Sequence, residues 1–292
     1  MGDREYEEYI EQVEQREGMI FDDPRLRPRD GVTLLRRRCG RLDLETFTPI
    51  FIHDGGMPKV EATAMCQHVG GVLLDNVEPQ RAEHLAEALR QAGEECFIVP
   101  AAEVVELPRE QPVHGARVGR EYVDLIDAAG HPQRAMWQDA VILSMARVAI
   151  VTEKTVTTAK SSLTRRVGGV ASLGPATVAV GAAMSPIMSG KLKRRSSTHT
   201  LVDLVFLRGL RRYRIDGRAF DYTILRDTVQ QSSETNVRLL VRWFLQVAPH
   251  LETNFDARKL VDTGDTDLQS YDEHGFDDVV HWMLNMVKFR DR

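Results

Sequence analysis

Three cysteines in 292 residues, Cys39, Cys66 and Cys96, are too few and too widely spaced to frame a fold. Their odd number excludes a full disulfide set within the chain, and no C-x-x-C or Cys/His spacing suited to zinc occurs. Cys66 and Cys96 lie in apolar surroundings, where cysteine behaves as a small buried hydrophobe, so a reducing, cytoplasmic setting is expected. Basic excess is lacking as well. A net charge of -5 and a pI near 6.0 leave no overall positive field for phosphates, and nucleic acid is not expected as a partner. The opening MGDREYEEYIEQ has no apolar core of a secretory signal, and Tyr6 stands where a myristoylation site needs Ser or Thr.

Catalytic signatures are missing too. There is no G-x-S-x-G elbow, no phosphate-cradling glycine loop before a lysine, and no strand-to-helix context around Gly168, Gly169 and Gly174 for a dinucleotide. No catalytic residue, metal ligand or cofactor is therefore assigned, and the balance favours a non-catalytic role. Sites assembled from residues far apart in the chain escape this reasoning.

What stands out is Val167 to Gly190, an uncharged stretch in a chain that is 28% charged. Arg165 and Arg166 precede it, and Lys191, Lys193, Arg194 and Arg195 follow. Apolar length with basic flanks suits a membrane span, but five glycines, two prolines, one Leu and one Ile give little insertion energy. Residues 160–197 are accordingly expected to form an exposed excursion between two strands. The six basic residues flanking Val167 to Gly190 are candidate contacts for a partner or for an anionic membrane surface.

Around that insert the pattern predicts an α+β chain. Residues 1–44 read as an acidic helix (Tyr6, Ile10 and Val13 at helical spacing) followed by a solvated basic arm containing Arg25, Arg27, Arg29, Arg36, Arg37, Arg38 and Arg41. Residues 45–101 read as a small β-α-β-α-β unit. Phe47 to His53 is its first expected strand, closed by the turn Asp54-Gly55-Gly56, and a helix after Pro58 ends at Gly70-Gly71. Val72 to Leu74 and Cys96 to Val99 are further strands. Between them Pro79 opens a helix whose Ala82, Leu85, Ala86 and Leu89 share one face, with Gly93 just beyond its end.

Residues 102–119 read as a linker. Residues 120–292 then read as an antiparallel sheet capped by helices. Its expected strands include Val141 to Val151, Leu201 to Leu207, and a hairpin of Arg211 to Ile215 with Ala219 to Leu225 about Asp216-Gly217. The closing helices run from about Glu234 to Ala248, behind a serine cap, and from Phe276 to about Val287. Trp137, Trp243 and Trp282 fall on apolar patterns and are expected in the core.

Two segments resemble known families. Val72 to Val99, a strand, a polar turn, an Ala/Leu-faced helix, "AG" and a strand, is similar to the C-terminal domain of the ribosomal stalk protein, a fold shared with the Clp protease adaptor. The resemblance implies that fold and a protein-binding habit, although Arg81, Glu83, Glu87 and Arg90 replace the lysines of the stalk domain's binding face. Tyr122 to Val141, with Trp137 ahead of Asp139, resembles the opening of bacterial pleckstrin-homology-like domains.

Two motifs invite metals. Adjacent His53 and Asp54 are the pair a metal-dependent phosphohydrolase uses, but the nearest further donor, His68, has no matched carboxylate. Asp262 to Glu273 has the length of a calcium loop, yet Gly264, Thr266 and Asp267 break its ligand and turn positions. The expectation is a soluble binding or regulatory protein acting through an unidentified protein partner. A peripheral membrane protein using the 160–197 segment, or an enzyme with a dispersed site for which His53, Asp54 and His68 would be tested, are the alternatives.

Overall fold

The computed structural model of the chain describes residues 29–156, 191–263, 268 and 270–290. The expected acidic helix at 3–17 and the whole uncharged stretch Val167 to Gly190 lie outside them. The fold is α+β.

Its first layer is a three-stranded antiparallel sheet in the order β2-β1-β3, with β1 Val32–Arg36, β2 Val72–Val77 and β3 Cys96–Pro100. The central strand comes from the stretch expected to be a basic arm. Thr33, Leu34 and Leu35 are fully buried between flanking arginines, and alternation sends the two leucines to opposite faces. Arg36 is buried as well: its Nε donates to Glu94 at 2.8 Å and its Nη1 to the Gly40 carbonyl at 2.6 Å.

Leu34 faces three helices, α1 (Leu44–His53), α2 (Lys59–Gln67) and α3 (Pro79–Gln91). Helix α3 forms as its periodicity predicts, burying Ala82, Leu85, Ala86 and Leu89, and Gly93 beyond it adopts φ +89°. Helix α1 replaces the expected strand at Phe47 to His53. Asp43 caps it by accepting from the Thr46 N–H at 2.8 Å, and Phe47 and Phe51, one turn apart, are its buried residues. A short apolar run does not distinguish strand from helix, and here the burial of Phe47 and Phe51 among Leu34, Leu85 and Leu89 decides.

The second layer is a six-stranded sheet. Its core is a long antiparallel pair, β8 (Ala140–Val156) with β9 (Lys191–Phe206), in continuous register from Ile142 opposite Val205 to Val156 opposite Lys191, with a bulge between Ala140 and Ile142. β10 (Arg211–Asp216) runs antiparallel to β9, and β4 (Glu110–Val113) joins β10 in parallel. The short β11 (Glu252–Thr253) and β12 (Ser270–Tyr271) pair parallel to β8. Thus β9 begins at Lys191, earlier than expected, and residues 191–197 belong to the sheet rather than to the excursion. The 102–119 segment is not wholly a linker, since β4 lies in it, as does β5 (Gly115–Val118), which starts a separate antiparallel sheet with β6 (Tyr122–Ile126) and β7 (Pro132–Met136). The expected second arm of the 211–225 hairpin does not form. Asp216 accepts from the Arg218 N–H through its side chain and from Ala219 and Phe220 through its carbonyl, and this turns the chain into a 3-10 segment, Tyr222–Thr228.

Both faces of the large sheet are covered. Leu143, Met145, Val202, Leu204, Tyr213 and Ile215 meet helix α4 (Ser233–Val247), with Trp137 and Phe244 rings 5.5 Å apart. Helix α5 (Phe255–Thr263) adds Ala257 and Leu260 to that core. On the other face Ile142, Ala146, Val148, Leu201 and Val205 meet α6 (Glu273–Lys288) through Phe276, Val279, Val280 and Met283. Helix α6 also reaches the small sheet. Phe289, just past its end, packs with Leu35 and Val99, and Trp282 donates its indole N–H to the Arg36 carbonyl at 2.8 Å. A Cβ at Gly71 would lie 2.2 Å from the Trp282 ring, so a side chain there has no room beside the indole. Among the described residues no helix is long and apolar enough to cross a membrane.

Candidate functional site

A cavity of about 760 Å³ lies where β5, the 3-10 segment and α4 meet. Its apolar wall comes from Ala116 and Val118 of β5, Ile224 and Leu225 of the 3-10 segment, and Leu239 of α4. Trp243, half-buried, lies one turn further along α4. Arg117, Arg226 and Arg242 bring three exposed guanidinium groups to the same space, and among the described residues no carboxylate lines it. None of the three arginines has an ion-pair partner within 4.0 Å among the described residues.

Local sequence explains the placement. In β5, Arg117 alternates with the inward Ala116 and the half-buried Val118. In α4, capped by Ser232, the buried Leu240, Val241 and Phe244 leave Arg242 on the outer side. Arg226 adopts φ 51° and ψ -125°, a conformation that costs a side-chain-bearing residue on the order of 1–3 kcal/mol and concentrates at binding sites. Its neighbours hold it there: Leu225 is buried, the Thr228 hydroxyl donates to the Leu225 carbonyl at 2.6 Å, and the Val229 N–H donates to the Arg226 carbonyl at 3.2 Å.

A second feature is a buried charge cluster on the opposite face of the large sheet. Asp203 of β9 is fully buried and accepts from Arg212 Nε at 2.7 Å and from Arg214 Nε and Nη2, each at 2.9 Å. Both arginines also reach Asp277, in the early part of α6, at 2.5 and 2.6 Å. Glu110 and Glu273 stand 3.3 and 3.5 Å from Arg214. Four carboxyls thus face two guanidiniums. Burial pushes Asp203 up to about 7 against the pull of Arg214, and pushes Asp277 up to about 6, with Glu110 adding repulsion to both. Such a cluster ties β4, β9, β10 and α6 together and favours retention of a proton among its carboxyls.

Asp277 also lines a polar cleft of about 300 Å³ with Arg29, Asp75, Glu106, Asp278 and His281. Arg29 is committed to Asp75 at 2.9 Å, and His281 Nε2 lies 2.9 Å from the Val105 carbonyl. Burial lowers the His281 pKa and raises that of Asp278. Among the described residues no group of three His, Cys, Asp or Glu side chains is arranged to hold a metal ion.

The residues singled out from sequence are not brought into one site. His53 is exposed at the end of α1, Asp54 pairs with His84 at 3.1 Å, and His68 lies 3.6 Å from Asp278. Arg165 and Arg166 lie outside the described residues. Lys191, Lys193, Arg194 and Arg195 occupy β9 opposite Val156, Lys154, Glu153 and Thr152. The calcium-like loop lies partly outside the described residues, and its Asp272 caps α6 by accepting from the Gly275 N–H at 2.7 Å. The three cavity arginines went unnoticed because each is a single exposed charge on a separate element. Trp243 carried a signal, being the large aromatic beside, not on, the buried stripe of α4.

None of the protein families, curated proteins or solved structures compared with the chain matches it. The stalk-domain and pleckstrin-homology-like resemblances therefore stay with segments 72–99 and 122–141.

Proposed function

We propose that this chain is a soluble binding or regulatory protein that docks an acidic segment of a protein partner in the cavity between β5, the 3-10 segment and α4. The observation that carries this reading is a set of three arginines around an apolar, tryptophan-flanked hollow, with no ion-pair partner and no lining carboxylate among the described residues. In a chain of net charge -5 that is a local inversion of sign. Arginine and tryptophan are the residues that most often dominate the energy of protein interfaces, and guanidinium pairs bidentately with carboxylates.

The test is fluorescence anisotropy with a dye-labelled peptide of alternating Asp and Leu. Wild-type protein is expected to bind it with an affinity that weakens as salt rises, and a Lys/Leu counterpart is not expected to bind. The triple change Arg117→Gln, Arg226→Gln, Arg242→Gln should weaken binding at least about tenfold, since charged hydrogen-bonded contacts contribute roughly 1.5–3 kcal/mol each. Unchanged affinity in the triple variant, or equal binding of a poly-dT oligonucleotide, overturns the proposal.

A further inference from the structure

On the α6 face of the large sheet, beyond the buried charge cluster, three side chains form a linear chain of hydrogen bonds. Ser197 and His199 lie two residues apart on β9 and so project from the same face. Ser197 Oγ is 2.9 Å from His199 Nε2, and His199 Nδ1 is 2.7 Å from Asp216 Oδ2. Asp216 ends β10 opposite Leu201, and its other oxygen accepts from the Arg218 N–H at 2.9 Å. A carboxylate only accepts, so Nδ1 carries the hydrogen in the neutral ring and Nε2 offers its lone pair to the serine hydroxyl. This is the connectivity by which a carboxylate orients a histidine that in turn activates a serine.

We infer that Ser197 is a nucleophile activated by His199 and oriented by Asp216, at a site taking acyl esters. Access and a source of oxyanion stabilisation support the assignment. Ser197 is only half-buried. Pairing of β9 with β10 stops at Leu201, and the last bond on that side runs from the Gly217 N–H to the Thr200 carbonyl at 2.9 Å. Main-chain groups alternate sides along a strand, so Thr198 directs its N–H to that same edge, past the end of β10, beside the serine.

In the first half-reaction Ser197 Oγ bonds to the ester carbonyl carbon while its proton passes to His199 Nε2. The C–O bond to the alcohol then breaks, and the alcohol leaves with that proton. Water repeats the sequence: its proton goes to Nε2, its oxygen joins the acyl carbon, and the Ser197 ester bond breaks as Oγ recovers the proton. The products are an alcohol and a carboxylic acid, and no redox partner is needed.

A fluorophosphonate probe tests this directly, because it captures an activated serine as a stable phosphonyl ester with loss of fluoride. Incubating the full chain with the probe and mapping the adduct by mass spectrometry should place it on Ser197, with parallel hydrolysis of p-nitrophenyl acetate. Ser197→Ala should abolish the adduct. His199→Gln should slow labelling by roughly 10²–10⁴-fold, the usual contribution of a positioned general base. Asp216→Asn, at a partly exposed position, provides a second variant should His199→Gln unfold, and it too should slow labelling at unchanged circular dichroism. Absence of an adduct at Ser197, or undiminished labelling in folded His199→Gln or Asp216→Asn, shows that the three residues merely tie the strands together and overturns the inference.

Discussion

Asn285, on α6, holds both main-chain groups of Val105, a residue 180 positions earlier: its Oδ1 accepts the Val105 N–H at 2.8 Å and its Nδ2 donates to the Val105 carbonyl at 3.1 Å. A fully buried amide here does what a neighbouring strand would do for an otherwise irregular segment. The segment leading out of the small sheet is thereby fastened to the helix that also covers the large one. Replacing Asn285 with Ala should cost about 1–3 kcal/mol in urea denaturation, the penalty for leaving buried backbone groups unpaired. A change below about 0.3 kcal/mol would mean that water satisfies Val105.

Leu85 is fully buried between α3 and the small sheet. Leu85→Ala should destabilise by about 2–5 kcal/mol, read from the urea midpoint at unchanged slope. The central position of β1 adds a sharper outcome. A fragment of residues 45–101 lacks the strand that β2 and β3 both pair with, so it should give the dispersion-poor spectrum of an unfolded chain. A fragment beginning at residue 29 should recover more order.

Asp203→Ala should be among the most damaging single changes, about 3–5 kcal/mol, because it strands the buried guanidiniums of Arg212 and Arg214. Chemical denaturation measures it directly. Truncating the rim carboxylate Glu273, which is half-exposed and 3.5 Å from Arg214, should change stability by less than about 1 kcal/mol.

Burial holds the His281 pKa below its ordinary value of 6.5. The unfolded chain therefore binds a proton at this residue before the folded one does. Its contribution to stability is present above about pH 6.5 and is lost as pH falls below it. Asp277, pushed up to about 6, works in the opposite sense, since the folded state takes up that proton first. Proton NMR should show His281 titrating below 6.5, with Asp75, Asp278 and Arg29 as the charged groups around it. His281→Gln should flatten the fall in stability between about pH 7 and 5. A His281 midpoint above 6.5 would contradict its burial.

Burial pushes the Cys96 thiol up to about 12 and raises those of Cys39 and Cys66. At pH 8 the thiolate fraction of Cys96 is then about one part in ten thousand, so native protein should react with a disulfide reagent far more slowly than unfolded protein. Rapid labelling of Cys96 without denaturant would place it outside the apolar layer.

The sequence by itself determined those elements whose local signals agree. Helix α3 was legible because Pro79, the stripe from Ala82 to Leu89 and Gly93 all point the same way. Helix α4 followed from Ser232 and the spacing of Val237, Leu240, Val241 and Phe244, and β2 and β3 from short apolar runs between turns. Only the tertiary structure decided that Phe47 to His53 is helical, since an apolar run that short fits either period until its buried partners are known. Tertiary structure also made a central strand of Val32 to Arg36, where a cluster of arginines hides two leucines that need cover on both faces. The candidate sites belong to the same class. Arg117, Arg226 and Arg242 come from a strand, a 3-10 segment and a helix, and Asp216 meets His199 because β10 folds back on β9. Spacing along a chain records which face of its own element a residue occupies, whereas a site is made by the packing of one element on another.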